Sequence, residues 1–401
     1  MELLGLQQWV LILSTTVLTS VLLAAIAKIS NRGNGKKLPP GSMGLPLIGE
    51  TFQFLRAYRP HKFNNWMDMK AAKYGPVFKT SLLGCPTVVF TGQAGNKFLF
   101  QSNDSCVINK QPITVTRIIG QNNLLELSGE DHRRMRGAIM QFLKPEALQK
   151  FVGRMESVIL RHFEQCWEGK ETILLCPLMR NLAFEVATDL LFGLKESEER
   201  DILHKEFSEA EKGGWSIPLD IPGTNFRRGL NARVRICKRL SCLLEVRRRE
   251  LEQGLASPGQ DLMTSLLTMR DENNKALTEE EIIDNMMLVM FAGHDSTYVL
   301  LTHVIRALAM HPQVYQNVLK EHMEVRQGKQ MNDPLTWQEI QKMKYTWKVA
   351  QETMRLTPPV FGGFKKAIKD IEYKGYIIPK GWQLCWGTTT HFNNEVFKEQ
   401  F

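Results

Sequence analysis

The sequence predicts a mainly helical (α+β) fold, with one long buried central helix and a small β-sheet near the N-terminal part of the chain. Apolar residues recur at helical spacing in several long segments, and one of these, between Thr278 and Pro312, is long enough to cross a whole domain. The strand-like segments are few and short. With 401 residues, 43% of them hydrophobic, the chain has enough apolar material for one large domain or two ordinary ones.

Composition narrows the range of functions. Lys and Arg outnumber Asp and Glu by 51 to 42, and the resulting net charge of +9 favours an anionic partner or surface. The seven Cys are scattered without C-x-x-C spacing, which argues against a disulfide framework or a zinc site and fits a reducing compartment. The most basic stretch, Arg227 to Arg249, has no interleaved aromatic residues and no recognised binding motif, so we expect no nucleic-acid partner.

The N-terminal segment is predicted to be a membrane anchor. Leu3 to Ala27 holds no charged residue and is long enough to span a bilayer, and the basic residues that follow from Lys28 leave the remainder in the cytosol. A cleaved signal peptide is the alternative, but Glu2 precedes the apolar run where a basic residue would be expected, and the run is too long. We therefore assign residues 1–30 to the anchor and residues 31–50, rich in Pro and Gly, to an extended hinge.

Two groups of short strands are predicted. Val77–Leu83 and Thr87–Thr91, joined across Gly84-Cys85-Pro86, have the pattern of a β-hairpin. The second group consists of Phe364–Ala367, Tyr376–Ile378 and Trp382–Trp386, with a turn at Pro379-Lys380-Gly381 between the last two.

Two basic helices are predicted between these groups. The first begins at Glu130 and continues through EDHRRMRGAIMQFLKPEAL. The second, Arg227 to Arg249, carries nine Lys or Arg and one acid, and its predicted apolar face consists of Leu230, Val234, Cys237 and Leu244. We expect the second helix to lie exposed near an anionic membrane surface, in agreement with the N-terminal anchor.

The central helix is predicted to begin at a capping box made by Thr278 and Glu281 and to end before Pro312. Its middle carries Ala292-Gly293-His294-Asp295-Ser296-Thr297. A Gly and four polar side chains weaken a buried helix, so their presence at its centre calls for an explanation. One explanation is a solvated or internally satisfied kink. The other is a local opening beside a cofactor, with an acid and an alcohol placed to pass protons.

A second capping box, Thr336 with Glu339, precedes another helix. Glu352 and Arg355 lie three residues apart on one face of it, a spacing that allows an ion pair. The segment Leu356-Thr357-Pro358-Pro359 then ends the helix.

The hexapeptide AGHDST resembles the (A/G)-G-x-(D/E)-T-(T/S) motif in the long central helix of cytochrome P450 haem-thiolate monooxygenases. Ser296 stands where that family usually has Thr, so the hydroxyl is kept and the methyl is lost. The anchor, the proline-rich hinge, the basic helix and the Glu352/Arg355 pair follow in the order the family has. The resemblance implies a cytochrome P450 fold, with residues 51–401 forming the catalytic domain.

The resemblance also implies roles for individual residues. Arg136 falls where a W-x-x-x-R pattern places the Arg that pairs with a haem propionate, and His132 takes the Trp position. Glu352 and Arg355 resemble the E-x-x-R pair, which is buried in that family. The remaining assignments are Ala292 and Gly293 at the haem, Asp295 and Ser296 in proton delivery, and Met286, Met290, Phe291, Val360, Phe361, Gly362 and Phe364 in the substrate pocket.

The family's F-x-x-G-x-R-x-C-x-G loop, which holds the iron ligand, has no counterpart in the sequence up to Phe401. We therefore assign no metal ligand within these residues and expect the ligand Cys beyond Phe401. Cys385 lies in a strand-like segment without a Gly-rich loop and is not expected to replace it. A chain ending at Phe401 is expected to fold poorly or to bind haem weakly.

Stretches such as FLKPEALQKFVG, PLDIPGT and QKMKYTW resemble the plant branch that acts on triterpenoid, sterol and brassinosteroid-type substrates. The resemblance implies a single-pass protein of the endoplasmic reticulum membrane that inserts one oxygen atom from O2 into a hydrophobic substrate. Electrons would come from NADPH through NADPH–cytochrome P450 reductase. The alternative is a truncated, non-catalytic, membrane-anchored relative, while a haem isomerase without a proton relay is disfavoured by Asp295-Ser296.

Overall fold

The computed structural model describes residues 37–46, 48–58, 63–102, 105–195, 197–330 and 333–388. These residues form two compact units: one takes residues from 37–112 and 362–388, and the other takes residues 113–361. The predicted anchor, Leu3 to Ala27, lies outside the described ranges. Within those ranges no helix combines the length and apolar character that crossing a bilayer requires.

The first unit consists of three helices and two sheets. Its helices are α1 (Thr51–Tyr58), α2 (Phe63–Tyr74) and α3 (Gly92–Gln101). Its strands are β1 (Val77–Leu82), β2 (Cys85–Phe90), β3 (Val107–Asn109), β4 (Gly362–Ala367), β5 (Ile371–Tyr373), β6 (Tyr376–Ile378) and β7 (Gln383–Gly387). The larger sheet has the order β1-β2-β7-β4-β3, with β2 and β7 parallel and the other neighbours antiparallel, and β5 pairs with β6.

The predicted hairpin is confirmed, but its turn lies elsewhere. Leu83 and Gly84 both have positive φ, at 51° and 79°, and Leu82 pairs directly with Cys85. Two residues in this conformation match the right-handed twist of the flanking strands, so Cys85 and Pro86 belong to β2 rather than to the turn. The three later strands are also confirmed within one or two residues, whereas β3 and β5 were not predicted.

The second unit is helical. Its helices are α4 (Ile113–Ile119), α5 (Gly129–Phe142), α6 (Pro145–Leu148), α7 (Val152–Cys166), α8 (Leu175–Phe192), α9 (Glu198–Gly214), α10 (Asn225–Glu252), α11 (Leu262–Thr268), α12 (Glu279–Met310), α13 (Pro312–Arg326), α14 (Trp337–Lys342) and α15 (Lys344–Leu356), with a short 3₁₀ helix at Gln149–Phe151. Its main core contains α12 residues from Ile282 to Met290 together with side chains of α4, α5 and α8 to α11. The central position predicted for the long helix is therefore confirmed.

The ends of α12 agree with the prediction, and its middle keeps helical geometry. Thr278 and Glu281 form the capping box, and the helix continues to Met310. Residues 279–310 are α-helical throughout, so the polar motif does not open the helix. The Ser296 hydroxyl donates to the carbonyl oxygen of Ala292 at 2.7 Å, which satisfies this polar group inside the helix.

Residues 120–127, the loop between α4 and α5, are held by two consecutive side chains of α12. The carboxylate of Asp284 accepts from the backbone N–H of Asn122 at 2.9 Å and from Nη2 of Arg233 at 2.6 Å. Oδ1 of Asn285 accepts from the backbone N–H of Leu124 at 2.9 Å. The long helix thus fixes the loop through polar contacts, because its side chains accept the hydrogen bonds that the backbone N–H groups of Asn122 and Leu124 donate.

Two predictions about the basic helices are wrong. The helix from Glu130 was expected to continue through Pro145, but α5 ends at Phe142, since a Pro forces the residue before it into an extended conformation. In α10, Val234 is exposed rather than part of the apolar face. The face that is buried consists of Phe226, Gly229, Ala232, Ile236, Leu240 and Leu244.

The positive charge of α10 is largely compensated within the second unit. Its cations form ion pairs with acidic residues of the neighbouring segments and of α10 itself. The pairs are Arg227–Asp220, Arg228–Glu209, Arg233–Asp284, Arg235–Glu206, Arg239–Glu199, Arg247–Asp261, Arg248–Glu279 and Arg249–Glu245. The sequence pattern of one helix does not reveal these acids, which other segments largely supply. That α10 lies near a membrane surface stays a prediction.

Candidate active site

The centre of α12 presents an open face. Met286, Met287 and Met290, in the preceding turns, are buried, whereas Ala292 and Gly293 are exposed. A Cβ atom added to Gly293 would meet no atom within 4 Å, apart from its chain neighbours and the backbone of its own helix, so there is open space beside this turn. The absence of large side chains here leaves room for a flat group against the helix.

The acid and the alcohol of the motif have different partners. Ser296 is bonded to the Ala292 carbonyl and shares its side of the helix, because residues four apart lie on one face. Asp295, whose side chain is 29% exposed, lies with its Oδ1 2.9 Å from Nδ1 of His294. Ser296 therefore has to leave the Ala292 carbonyl before its hydroxyl can donate to a bound molecule.

Asp295 belongs to a polar cluster that joins three helices and that sequence reasoning missed. Glu211 of α9 and His294 and Asp295 of α12 each have a side-chain oxygen or nitrogen within 4.8 Å of the others. Nη2 of Arg180, from α8, donates to both carboxylate oxygens of Glu211 at 2.7 Å. The guanidinium carbon of Arg180 lies 5.1 Å from the centre of the Tyr298 ring. Ion pairs between helices obey no spacing rule, so only the unusual polarity of the α12 motif pointed to this region.

Burial and charge shift several pKa values in the cluster. Burial, followed by the charge of Asp295, raises the pKa of Glu211, although Arg180 acts in the opposite direction. Burial and Asp295 raise the pKa of Tyr298 to about 12. Burial lowers the pKa of His204 to about 4. At neutral pH Tyr298 and His204 are therefore uncharged.

Two carboxylates and an imidazole at this spacing also provide the donor types that bind divalent cations. Here, however, the guanidinium of Arg180 already occupies both oxygens of Glu211 and places a positive charge there. A divalent cation beside it would be repelled. We therefore interpret the cluster as a salt-bridged acid network.

The two α5 residues assigned to a haem edge lie on accessible parts of the helix. Arg136 is exposed and His132 is half-buried, and the two are one turn apart. The same helix is tied to the first turn of α12 by an ion pair between Arg134 and Glu281. Among the residues that the structure describes, none forms an ion pair with Arg136, so its guanidinium is available to an anion.

The predicted pocket residues are divided between the two units. Met286 and Met290 are buried in the core of the second unit. Phe291 is half-buried and packs on Phe207 of α9, with ring centres 4.1 Å apart. Contact of these side chains with a substrate stays a prediction.

The segment after α15 supplies the other predicted pocket residues. Val360 is exposed, and the ring of Phe361 lies 5.4 Å from that of Trp215 in an edge-to-face arrangement. Gly362 and Phe364 are buried residues of β4, in the first unit. Trp215 and Phe207 were not assigned to the pocket from the sequence, because α9 carries no motif that marks them.

Glu352 and Arg355 form the predicted ion pair, with Nε and Nη2 of Arg355 at 2.8 Å and 2.6 Å from the two carboxylate oxygens. This pairing lowers the pKa of Glu352. The expected burial is wrong for Glu352, whose side chain is 50% exposed. Of the residues in α15 only Thr353 is buried, so Glu352 lies on the exposed side of a partly covered helix.

Cys385 lies inside the larger sheet, in β7, between β2 and β4. It is fully buried, and burial raises the pKa of its thiol. A neutral, enclosed thiol does not have the properties of a metal-binding thiolate. That Cys385 does not replace the iron ligand stays a prediction.

Comparison with known proteins identifies the family of this chain. The family profile described as Cytochrome P450 matches residues 39–399. The chain belongs to the cytochrome P450 family. Taxane 10-beta-hydroxylase of Taxus cuspidata is 40% identical to it over 391 residues, which are 97% of this chain and 78% of that protein. Beta-amyrin 28-monooxygenase of Kalopanax septemlobus is 39% identical over 376 residues, 92% of this chain and 77% of that protein.

The fold is also found in a solved structure. The retinoic acid-bound cyanobacterial CYP120A1 matches with a TM-score of 0.79 and 28% identity, over 92% of this chain and 83% of that one. This cytochrome P450 is thus an oxidoreductase of the monooxygenase type, with haem as its cofactor and electrons supplied by a reductase. The predictions of family, enzyme class and cofactor are confirmed.

The chemistry of these residues is of the kind that a haem requires, and their contact with one stays a prediction. Ala292 and Gly293 leave open space for a flat ring, and Arg136 offers an accessible guanidinium for an acidic edge. Cys385, by contrast, is enclosed in the sheet and offers a neutral thiol rather than a thiolate. The ligand expected beyond Phe401 stays a prediction.

Proposed function

We propose that this cytochrome P450 inserts one oxygen atom from O2 into a hydrophobic terpenoid or sterol-like substrate, using electrons that NADPH–cytochrome P450 reductase supplies. The observation that carries the proposal is the open face of α12 at Ala292 and Gly293, followed directly by Asp295 and Ser296. The names of the taxane and beta-amyrin relatives support a polycyclic terpenoid as the substrate class.

The cofactor supplies dioxygen activation when bound, and the protein supplies binding and protons. We assign His132 and Arg136 to the acidic edge of the haem, where a guanidinium makes charge-assisted bonds to a carboxylate. Ala292 and Gly293 let the flat ring lie close to the helix, because neither has a side chain beyond Cβ.

Ser296 and Asp295 are assigned to proton delivery. Rotation of the Ser296 side chain would break its bond to the Ala292 carbonyl and free the hydroxyl to donate a proton to a bound molecule. Asp295, the next residue along the chain towards the N-terminus, then replaces the proton. Loss of one neutral hydrogen bond, about 1 kcal/mol, is a modest cost for this rotation.

The substrate is proposed to meet apolar side chains, as small-molecule pockets usually require. Phe291 and Phe361 are the strongest candidates, since each is a half-buried aromatic ring beside another aromatic residue. The other proposed pocket residues are Met286, Met290, Val360, Gly362 and Phe364.

The test is to express the full chain with a plant reductase in microsomes of a heterologous host. The reduced, carbon-monoxide difference spectrum reports haem bound through a thiolate. A taxane-type hydrocarbon and beta-amyrin are then supplied under ¹⁸O₂, and products are analysed by mass spectrometry for one added ¹⁸O atom. Ser296→Ala is expected to lower product formation about 100-fold, and Ser296→Thr, which keeps the hydroxyl, is the matched control.

Two results would count against the proposal. A haem-loaded protein that incorporates no ¹⁸O into any terpenoid would contradict the substrate class. Absence of haem from the membrane-bound protein would contradict the activity itself and favour the non-catalytic relative.

We also propose that Leu3 to Ala27 anchors the protein in the endoplasmic reticulum membrane, with the rest of the chain in the cytosol. The uncharged run and the basic residues after it support this assignment. Alkaline extraction of microsomes should leave the full chain in the membrane, and deletion of residues 1–30 should release part of it. Complete digestion of the cytosolic part by added protease is expected in intact microsomes, and its protection would reverse the orientation.

A further inference from the structure

The positive charge of the chain is concentrated in the first unit. Its described residues hold twelve Lys or Arg and four Asp or Glu, a formal charge of +8. The described residues of the second unit hold 33 of each kind and carry no net charge. The sheet-containing unit, rather than the basic helix α10, is therefore the part of the chain whose charge attracts an anionic partner.

Most cations of the first unit are exposed and are not neutralised by neighbouring acids. A buried ion pair joins Nζ of Lys70 to Oε1 of Glu50 at 2.6 Å. No ion pair joins the exposed cations of this unit to any residue that the structure describes. These exposed cations are Lys37, Arg56, Lys73, Lys97, Lys366, Lys369, Lys374 and Lys380.

Two of these cations lie at the hairpin of β5 and β6. Lys374 and Gly375, with φ of 49° and 75°, form the two-residue turn of the hairpin. The carbonyl oxygen of Lys37 accepts from the backbone N–H of Ile377 at 2.9 Å, which holds Lys37 beside the hairpin. Asn, Asp and Gly adopt such a turn more readily than Lys does, so the geometry of the turn does not account for the cation at Lys374.

Each of the two lysines extends over an aromatic ring. Nζ of Lys37 lies 5.8 Å from the ring centre of Tyr376, and Nζ of Lys374 lies 5.7 Å from that of Tyr373. The two tyrosines pair across the strands, so they lie on the same face of the hairpin. Lysine and tyrosine side chains combine an apolar body with a polar tip, which suits the boundary between lipid headgroups and water. We call Lys37, Tyr373, Lys374 and Tyr376 the hairpin surface.

The proposed membrane anchor brings a bilayer close to this hairpin. Lys37 follows Ala27, the last residue of the uncharged run, by ten residues. A fully extended chain of that length spans at most about 36 Å, so the hairpin stays within this distance of the end of the anchor. A bilayer that contains anionic lipids attracts basic residues over about one Debye length, roughly 10 Å. The tether is therefore short enough to let the hairpin surface reach the range in which lipid charge acts.

We propose that the hairpin surface binds the headgroups of anionic phospholipids and so docks the first unit on the cytosolic face of the membrane. This inference rests on the anchor proposed above, which brings the chain to a bilayer but does not select its lipids. An uncharged anchor enters zwitterionic and anionic bilayers alike, because its insertion depends on apolar length. Docking through Lys37 and Lys374 depends instead on lipid charge and weakens as salt screens that charge.

The first measurement is lysine footprinting of the full chain, reconstituted in vesicles of phosphatidylcholine with or without phosphatidylserine. Acetic anhydride acetylates accessible amines, and mass spectrometry gives the extent of labelling at each lysine. Phosphatidylserine is expected to lower the labelling of Lys37 and Lys374 at least about threefold, and raised salt is expected to restore it. Lys320, whose side chain is 78% exposed in the second unit, is the internal control and is expected to label equally in both kinds of vesicle.

The second measurement is amide hydrogen exchange of the peptide that contains residues 371–378. Phosphatidylserine is expected to slow its exchange in the wild-type chain. Lys37→Gln/Lys374→Asn removes both charges, and Asn suits the turn, so the hairpin is expected to keep its fold while the lipid-dependent slowing is lost. Lys320→Gln/Lys348→Gln removes the same charge from exposed lysines of the second unit and is expected to keep the slowing.

The outcomes separate this inference from the proposed anchor. Equal footprints with and without phosphatidylserine, in a protein that alkaline extraction leaves in the membrane, would overturn the hairpin surface and keep the anchor. Salt-sensitive association with phosphatidylserine vesicles alone, lost in Lys37→Gln/Lys374→Asn, would support the hairpin surface and contradict the anchor. Protection that appears only when an acidic protein is added would overturn the proposal and assign the surface to a protein partner. If the double variant does not fold, the footprint of the wild-type chain still decides.

Discussion

Asp284→Asn tests how the central helix holds the loop at residues 120–127. Asp284 is 4% exposed, and its carboxylate accepts from Arg233 at 2.6 Å and from the backbone N–H of Asn122 at 2.9 Å. Removing one partner of a buried ion pair costs about 3–5 kcal/mol. Arg233 keeps its bond to the Ile118 carbonyl and is 22% exposed, so we expect the lower end of that range, about 3 kcal/mol.

Amide hydrogen exchange of the full chain measures this effect locally, without assuming that both units unfold together. About 3 kcal/mol corresponds to roughly 100-fold faster exchange in the peptide that contains residues 120–126. Glu206→Gln removes an exposed ion pair from Arg235 and is expected to change exchange less than about fivefold. Equal exchange of this peptide in the two variants would refute the argument that Asp284 holds the loop.

Three further predictions concern other sites. Gly120 has φ +115°, and an added Cβ would overlap the Asp284 carboxylate. Gly120→Ala should therefore lower the free energy of unfolding by about 2–4 kcal/mol and with it the thermal midpoint. Gly137 lies in open space on α5, so Gly137→Ala is the control and should raise the midpoint slightly. His204 favours the neutral form when folded, so its stabilisation is present above pH 6.5 and is lost as the pH falls towards about 4. His204→Phe should therefore weaken the fall of the thermal midpoint in that window, and an unchanged fall would contradict it. Maleimide should label the exposed Cys242 in the native protein and Cys385 only after denaturation, and rapid native labelling of Cys385 would show that its strand opens.

Signals that act within a few residues of the chain predicted structure well. The capping box at Thr278 fixed the start of α12, and the period-2 pattern located the hairpin around Gly84. In each case the physical cause is local: a side chain that bonds a nearby backbone N–H, or a turn that only certain residues adopt. Even here, the position of the hairpin turn was wrong by about two residues because the pattern does not distinguish a turn from the first strand residues.

Contacts between elements left no comparable signal. Arg180 and Glu211 meet across two helices, and neither position carries a motif. For the same reason nothing in the sequence indicated that Asp284 and other acids form ion pairs with the cations of α10. Glu352 shows that burial is also hard to predict from local sequence. An i, i+3 spacing predicts an ion pair but not its burial, and the Glu352 side chain is half-exposed.

The unbroken α12 changes how its polar motif can act. A helix that opened at Gly293 would have brought Asp295 and Ser296 to one side through a backbone distortion, but residues 279–310 keep helical geometry. Ser296 instead shares the side of Ala292, which is exposed, while Asp295 is bound to His294 and lies beside Glu211. Consecutive helical residues are rotated by about 100° from each other, so the two groups face different environments without any strain. In the proton delivery that we propose, a proton passing from Asp295 to Ser296 would therefore move around the helix from one residue to the next. The lack of a side chain at Gly293 leaves space beside that route.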